Sequence, residues 1–550
     1  MATKRKSKAK RKPAKAKAKR NVAKTKRKPA KRKPAKAKAK PKSARAAKPR
    51  AAKKPAAAPI VIAPSSGGSV AWTRATGEVG IRVRMYRVGF GDFFLLTFLA
   101  EAAEPIHVIV DCGVFKGTKQ TGDIGTIESA VADMVQTTGG KVALIVMTHR
   151  HADHIAGFAR CAATYKKLTV GAVWMSIWES QYSTTAVKFQ AELTRTALAL
   201  RSHFAALGAT ASAGENTAHQ FMLNATGEDG GGPKGSNAVA LNLLKQGFAG
   251  VTPEYYQAGD TAKLPSMLAN AGVAAQILGP PPVADLDLMK LMDLKKGVGQ
   301  YLTQDPTVQT KSGSPFGPNW EADLPTSYRP ESFREWLPTR TSDKPVSTQD
   351  ADAARSVMQT VLGQSQPGAA LTAAKQLNSF LNNQSLVILF TFKGKKLLFV
   401  GDAQAGNWEH WLFETDTPDK AASGAIKTAA QQILTSIDFY KVGHHGSGNA
   451  TPKPAVRAMG LGGKKFAAMC STQADVYGTE DPEDETKGTE VPRVPLLTQL
   501  ASESNFVRSD QIPVTSNDKV VVAAKVDGKL PESAAGTRFE QGAIWVDCFL

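Results

Sequence analysis

The apolar residues of this chain fall in short runs bounded by turn formers, and the runs differ in period. "GKVALIVM" (140–147) is a continuous apolar stretch of strand length with β-branched residues, which suits a buried strand. Directly behind it, "HIAGFARCAATY" (154–165) shifts to helical spacing, so a loop and then a helix from about Ile155 are expected. Residues 180–250 carry helical periodicity in "QAELTRTALALRSHFAALGA" and then the Gly-rich "GEDGGGPKGSN". Residues 295–380 are polar and Pro-rich in "SGSPFGPNWEADLPTSYRPESFREWLPTRTS", with a helix expected over "DAARSVMQTVLG". "KVVVAAKVDGKL" and "GAIWVDCFL" read as closing strands of the same domain. The pattern predicts an α/β fold with insertions at about 180–250 and 295–380, placed to form lids or walls. No apolar run reaches the roughly 18–20 residues needed to span a bilayer. "SLVILFTFKGKKLLFV" is broken by its lysines, so no membrane insertion is expected. Nor does an apolar segment follow the basic N-terminus, as a secretory signal requires.

Charge changes this picture at one end only. The net charge is +24, yet 27 of the 71 lysines and arginines lie in residues 1–54, which hold no aspartate or glutamate. The other 44 face 47 acidic residues, so the remainder is an ordinary, faintly acidic globular protein. "RKPAK" recurs at Arg11–Lys15, Arg27–Lys31 and Arg32–Lys36. Like charges, helix-breaking prolines and the lack of apolar residues predict a disordered Lys/Ala/Pro-rich tail over 1–57. It resembles the C-terminal tails of linker histones and their bacterial counterparts. A linker over 58–77 follows, and a folded domain is expected over 78–550.

So dense a cationic segment binds polyanions by counterion release, and nucleic acid is the expected partner. Lys4, Arg5, Lys6, Arg11, Lys12, Arg27, Lys28, Lys31, Arg32 and Lys33 are the candidate contacts. A solubilising or targeting extension, and binding to acidic lipid or polyphosphate, are the other readings. Four cysteines far apart in sequence form neither a disulfide framework nor a C-x-x-C cluster. A reducing, cytoplasmic location is therefore expected, associated with the nucleoid, or nuclear in a eukaryote.

The candidate chemistry sits between the first strand and helix named above. In "VMTHRHADHIAGF" (146–158), three of the chain's nine histidines and an aspartate crowd together as His149, His151, Asp153 and His154. His149 and His151, two apart at a strand end, can point the same way, and Asp153 and His154 begin the next turn. Nitrogen and carboxylate donors in this arrangement suit zinc or a similar divalent ion.

This T-H-x-H-x-D-H stretch resembles the signature of the metallo-β-lactamase superfamily, and further segments agree in order. "IRVRMYRVGFGDFFLLTF" (81–98) is similar to its first hairpin, and "HVIVDCG" (107–113) to its next strand, ending in Asp111. "KKLLFVGDA" (395–403) puts Asp402 at the metal-bridging position, and "FYKVGHHGSGNAT" (439–451) supplies a last histidine. "VGFGD", "NNQSLVILF", "LLFVGDA" and "KVGHHGS" are most similar to the hydrolase domain of ComEC-type competence proteins, without their membrane channel and with Val400 in place of a threonine. The resemblance covers roughly residues 80–175 and 380–475, with a looser match around 255–282.

It implies a four-layer αβ/βα sandwich and two divalent ions, zinc first and manganese as the alternative. His149 and His151 would hold one ion and Asp153, His154 and His444 the other, bridged by Asp402. Asp111 and Thr148 would support the histidine loop from behind. Asp153 and His445 are the candidate catalytic groups, with His445 behind the metal or on the substrate. Ser447 and Lys441 are candidate phosphate contacts, although Lys441 reads equally well as the surface end of a strand. A third histidine for the first ion is missing. His203 and His219 are in range but read as surface or packing residues, so that site is expected to be incomplete or completed by water.

The resemblance implies hydrolysis, and the tail points to a phosphodiesterase or nuclease tethered to nucleic acid. A small-molecule ester, thioester or lactone hydrolase anchored at the nucleoid is a second reading. A nucleic-acid-binding protein with a vestigial metal site is a third. Trp320, Tyr328 and Trp336 of the second insertion could stack on bases or simply pack.

Overall fold

The structure, a computed structural model, describes residues 80–291 and 367–550, except 102, 116–117, 119–125, 209–210, 212–214, 217, 220–221, 223–236, 414–424, 464, 479–489, 511–513, 517–518 and 522–536. The basic tail, the linker, Trp320, Tyr328, Trp336 and the helix expected over 352–363 lie outside the described residues.

Strands β1 (Gly80–Tyr86), β2 (Phe93–Leu99), β3 (Ile106–Cys112), β4 (Lys141–Met147), β5 (Thr169–Ser176) and β6 (Glu254–Tyr256) neighbour one another in that order in a first sheet. A second sheet is formed by β7 (Ala274–Gly279), β8 (Val387–Phe392), β9 (Lys395–Phe399), β10 (Phe439–Lys441), β11 (Phe466–Cys470) and β12 (Ser504–Arg508), also in sequence order. A separate hairpin joins β13 (Val514–Ser516) to β14 (Lys519–Val521). Finally β15 (Arg538–Gln541) and β16 (Trp545–Phe549) return to the edge of the first sheet beside β1. Of the two closing strands expected from the sequence, "GAIWVDCFL" thus joins the main sheet. "KVVV" does not; it pairs with β13 instead.

Each sheet begins antiparallel and becomes parallel: β3 to β6 in the first, β9 to β12 in the second. Parallel strands covered on both faces demand continuous apolar runs, which accounts for the unalternated "VALIVM" of β4. Its Leu144 and Val146 face a shared core with Val108 and Trp174 from their own sheet and Ile388, Phe390, Leu397 and Phe399 from the other. Its Ile145 and Met147 turn outward, onto helices α1 (Ile127–Thr138), α2 (Ala152–Arg160) and a later helix through Leu243 and Leu244. The second sheet carries its own outer layer, in which Trp408, Leu434, Val456 and Leu500 pack over Val387, Leu398 and Tyr440. The architecture is an α/β sandwich in which helices cover both outer faces.

A buried ionic cluster fixes where the C-terminal strand docks. Arg84 on β1 grips Asp547 of β16 through Nε and Nη2, both at 2.7 Å, and reaches Asp133 of α1 at 2.7 Å. Its guanidinium also lies 4.0 Å over the Trp545 ring. One side chain therefore ties β1, β16 and α1 together.

The two expected insertions meet. Helix α3 (Thr184–Leu207), capped by the Ser183 hydroxyl, buries Phe189, Leu193, Ala197 and Leu200. These pack against Ala374, Leu377 and Leu381 of a helix over Pro367–Asn382, here numbered α4. The end of α4 then leads into β8 beside the site described below. All four cysteines are buried and none forms a disulfide. Among the described residues, no helix is long and apolar enough to cross a membrane.

Candidate metal centre

The parallel strands of both sheets release their C-terminal ends at one place. Asp111 ends β3, His149 follows β4, Asp402 follows β9, and His444 and His445 follow β10. In open α/β sheets, that edge is where ligands bind.

Four side chains from these loops converge. Asp153, His154, Asp402 and His445 are all buried, and each offers a ligand atom within 4.8 Å of the others. His154 Nε2 is 3.1 Å from Asp402 Oδ1, and His445 Nε2 is 3.2 Å from Asp153 Oδ2 and 3.8 Å from Asp402 Oδ2. His149 and His151 lie beside this group. His149 Nε2 is 3.0 Å from His151 Nδ1 and 3.9 Å from Asp402 Oδ2. Neither His203, exposed on α3, nor His219 joins any such group among the described residues.

Two glycines permit the approach of the loops. A Cβ on Gly113 would meet the backbone of Asp153 at 2.1 Å, so only glycine lets the end of β3 lie against the start of α2. Gly401, at φ +53, lies against Thr148, where a Cβ would come within 2.8 Å of the threonine Cβ.

Asp111 and Thr148 stand behind the histidines. Asp111 accepts from the Thr148 amide at 2.8 Å and its hydroxyl at 2.7 Å, and its Oδ2 lies 2.8 Å from His154 Nδ1. A carboxylate on Nδ1 keeps the proton there and turns the Nε2 lone pair toward Asp402. If an ion is bound at this spot, Asp111→Ala is expected to weaken its affinity about 10–100-fold, as measured by competition with a chelating dye. Unchanged affinity would remove Asp111 from that role.

The structure corrects two placements. His445, not His444, belongs with Asp153, His154 and Asp402. Both histidines adopt left-handed backbone angles, φ 45° and 53°, and this turn sends their rings apart, to 6.2 Å between centroids. His444 is partly exposed, with Nε2 3.8 Å from Asp402 Oδ2. Lys441 is not a surface strand end, being 1% exposed. Its Nζ donates to the Gly401 carbonyl at 2.9 Å, pairs with Asp92 and lies 3.6 Å from Asp402 Oδ1. Ser447 donates to Asn449 Oδ1 at 2.8 Å.

Sequence reasoning passed over several participants. Asp92, the last residue of "VGFGD", pairs with Lys441; a buried carboxylate beside a buried lysine was signalled only by the motif itself. Arg150, between the two histidines, makes a two-pronged pair with buried Glu179 at 2.6 and 2.7 Å, which clamps the loop from outside. Ser385, at the end of "NNQS", receives the Asp402 amide at 3.1 Å. Gln404 and Asn382 flank His444.

The electrostatics favour a cation. Burial opposes charge on His154, yet Asp402, Asp111 and Asp92 together raise its pKa well above the usual imidazole range. His445 is raised in the same way, against burial, chiefly by Asp402 and Asp92. Burial likewise opposes ionised Asp402, and His154, His444 and His445 overcome it, holding the carboxyl well below the ordinary range. At the other two rings burial outweighs the carboxylates: His151 is pushed down to about 4 and His444 is lowered, although Asp402 and Asp153 act to raise both.

The donor set fits a divalent ion of the zinc type. His151 Nε2 and Asp402 Oδ2 are buried with no hydrogen-bond partner, and His154 Nε2 faces only Asp402 Oδ1, at 3.1 Å, a costly arrangement that an ion between these donors would relieve. The second acidic group, Asp92, Asp111 and His154, is by contrast occupied from within by Lys441 and Thr148. The buried His/Asp centre could hold a metal ion. In comparisons with known proteins, no family model matches the chain and no curated protein matches it.

Proposed function

We propose that this chain is a metal-dependent hydrolase of the metallo-β-lactamase fold, with the ComEC-type hydrolase domains as its nearest resemblance, and that it acts on phosphodiesters. The observation that carries the reading is the meeting of Asp153 and His154 with Asp402 and His445, side chains some 250 to 290 positions apart, at the C-terminal edge of two parallel sheets. Asp153, His154, Asp402 and His445 would hold one ion, and His149 and His151, with Asp402 shared, an incomplete second. A divalent ion bound there supplies Lewis acidity and acidifies a water for attack on phosphorus or a carbonyl carbon.

The protein's own groups prepare that step. Asp111 and the Ser471 carbonyl, 2.8 Å from His445 Nδ1, fix two ring orientations. Lys441 balances the negative charge of Asp92 and Asp402. Phe90, Phe115, Tyr477 and Val491 line the recess onto which His151, Asp153 and His444 open, forming an apolar wall on one side of the reacting centre.

The tail supports nucleic acid as the substrate class, because 27 positive charges without an acidic residue concentrate a polyanion near the site. The full chain should cleave bis-p-nitrophenyl phosphate with zinc or manganese and bind DNA with a steep dependence on salt. Deleting residues 1–54 should remove the DNA binding and leave the small-ester cleavage. Salt-independent DNA binding, or loss of both activities on deletion, would contradict the tether. A chain that binds DNA yet takes up no metal and hydrolyses nothing would leave a nucleic-acid-binding protein in its place.

A further inference from the structure

The adjacent histidines 444 and 445 face partners of opposite kind. His445 Nδ1 lies 2.8 Å from the Ser471 carbonyl, which can only accept, so Nδ1 carries a proton. Its Nε2 faces the carboxylates of Asp153 and Asp402, where it holds a second proton or, with an ion bound, would turn its lone pair to that ion. His154 is set the same way by Asp111. His444 Nδ1 instead lies 3.0 Å from Gln404 Nε2, a donor.

The other ring nitrogen, His444 Nε2, lies 3.4 Å from Asn382 Nδ2. A neutral imidazole has one lone pair, so two amide nitrogens cannot both donate to it, and one amide must be turned over. Gln404 resists turning, because a turned amide would set its oxygen 3.5 Å from Asn449 Oδ1, which already accepts from Ser447. The Ser379 hydroxyl, 2.6 Å from the present Oε1, can donate or accept and suits either orientation. Asn382 has the opposite bias, because its Oδ1 is buried with no hydrogen-bond partner. Turning it gives that oxygen the Nε2–H of His444.

We infer that Gln404, oriented by Asn449, sets His444 as the Nε2–H tautomer, and that this N–H is a hydrogen-bond donor to an anionic oxygen of the bound substrate, not a metal ligand. The N–H opens on the recess shared with His151 and Asp153 and stands 3.8 Å from Asp402 Oδ2. A phosphoryl oxygen bound beside Asp402 competes with the long Asn382 contact for this hydrogen. Charge developing on that oxygen is stabilised by a donor already held beside the recess.

The inference rests on the hydrolase reading, and its test keeps the two apart. In the zinc-loaded full chain, three quantities are compared across His444→Gln, Gln404→Glu and His445→Ala: zinc per chain, kcat on bis-p-nitrophenyl phosphate, and the ring 15N shifts of labelled histidines. His444→Gln should keep wild-type zinc and lose about 10²–10³ in kcat, whereas His445→Ala should lose zinc. Gln404→Glu places an acceptor on Nδ1, so the His444 ring should switch from the Nε2–H to the Nδ1–H pattern, with kcat falling and zinc retained. Loss of zinc in His444→Gln matching that in His445→Ala would overturn the inference. So would an Nδ1–H pattern for His444 in the wild type, or an unchanged kcat in His444→Gln. A wild-type chain that takes up zinc but hydrolyses no phosphodiester sinks the hydrolase reading and the donor role together. The ring-nitrogen pattern still decides the tautomer in that event.

Discussion

Asp402→Ala is expected to abolish phosphodiester cleavage, with a fall in kcat/KM of roughly three orders of magnitude or more, since several kcal/mol of electrostatic stabilisation depend on the ion it holds. Asp402 is fully buried, faces His149, His154, His444 and His445, and its Oδ2 has no hydrogen-bond partner. Its removal should also lower bound metal, and circular dichroism should show that the fold survives, because an alanine leaves no unpaired charge at that position. Wild-type cleavage by this variant would show that hydrolysis occurs elsewhere.

Lys441→Met is expected to cost about 3–5 kcal/mol of unfolding free energy in a urea titration, the range for breaking a buried ion pair from one side. Burial opposes the ammonium, but Asp92 and Asp402 raise its pKa above that of an ordinary lysine, so it is charged at neutral pH. Methionine keeps most of the volume and removes the charge, leaving buried Asp92 with only the more distant His154 and His445 rings, 3.7 and 3.5 Å away, to offset it. Adding Asp92→Asn should recover at least half of the loss, which separates charge imbalance from poor packing. A single-variant change below about 1 kcal/mol would mean that water reaches this lysine.

Much of the centre was legible in the sequence because its chemistry is compressed into a few positions. His149, His151, Asp153 and His154 follow one another across a strand end, a loop and the first turn of a helix, and local periodicity alone locates those three pieces. Asp402 could be placed only through the resemblance, since a Gly-Asp pair closing an apolar strand is by itself most often an ordinary turn. What stayed hidden depends on backbone angles or on distant partners. Adjacent histidines look equivalent in a sequence, and the left-handed turn that assigns their directions has no separate signature beyond the glycine at 446. Lys441 ends a short strand whether it is buried or exposed, and only the arrival of Asp92 from the first hairpin decides between them. The packing of α3 on α4 joins segments almost two hundred residues apart, for which amphipathic spacing gives a face but no partner.

The most direct measurement is the zinc content of the full chain after chelation, reloading and exhaustive dialysis, beside the His154→Ala and His445→Ala variants. About one tightly held zinc per wild-type chain, with release of protons on binding and loss of the ion in both variants, is the predicted result. A folded wild-type chain that retains no more zinc than the variants would contradict the metal centre.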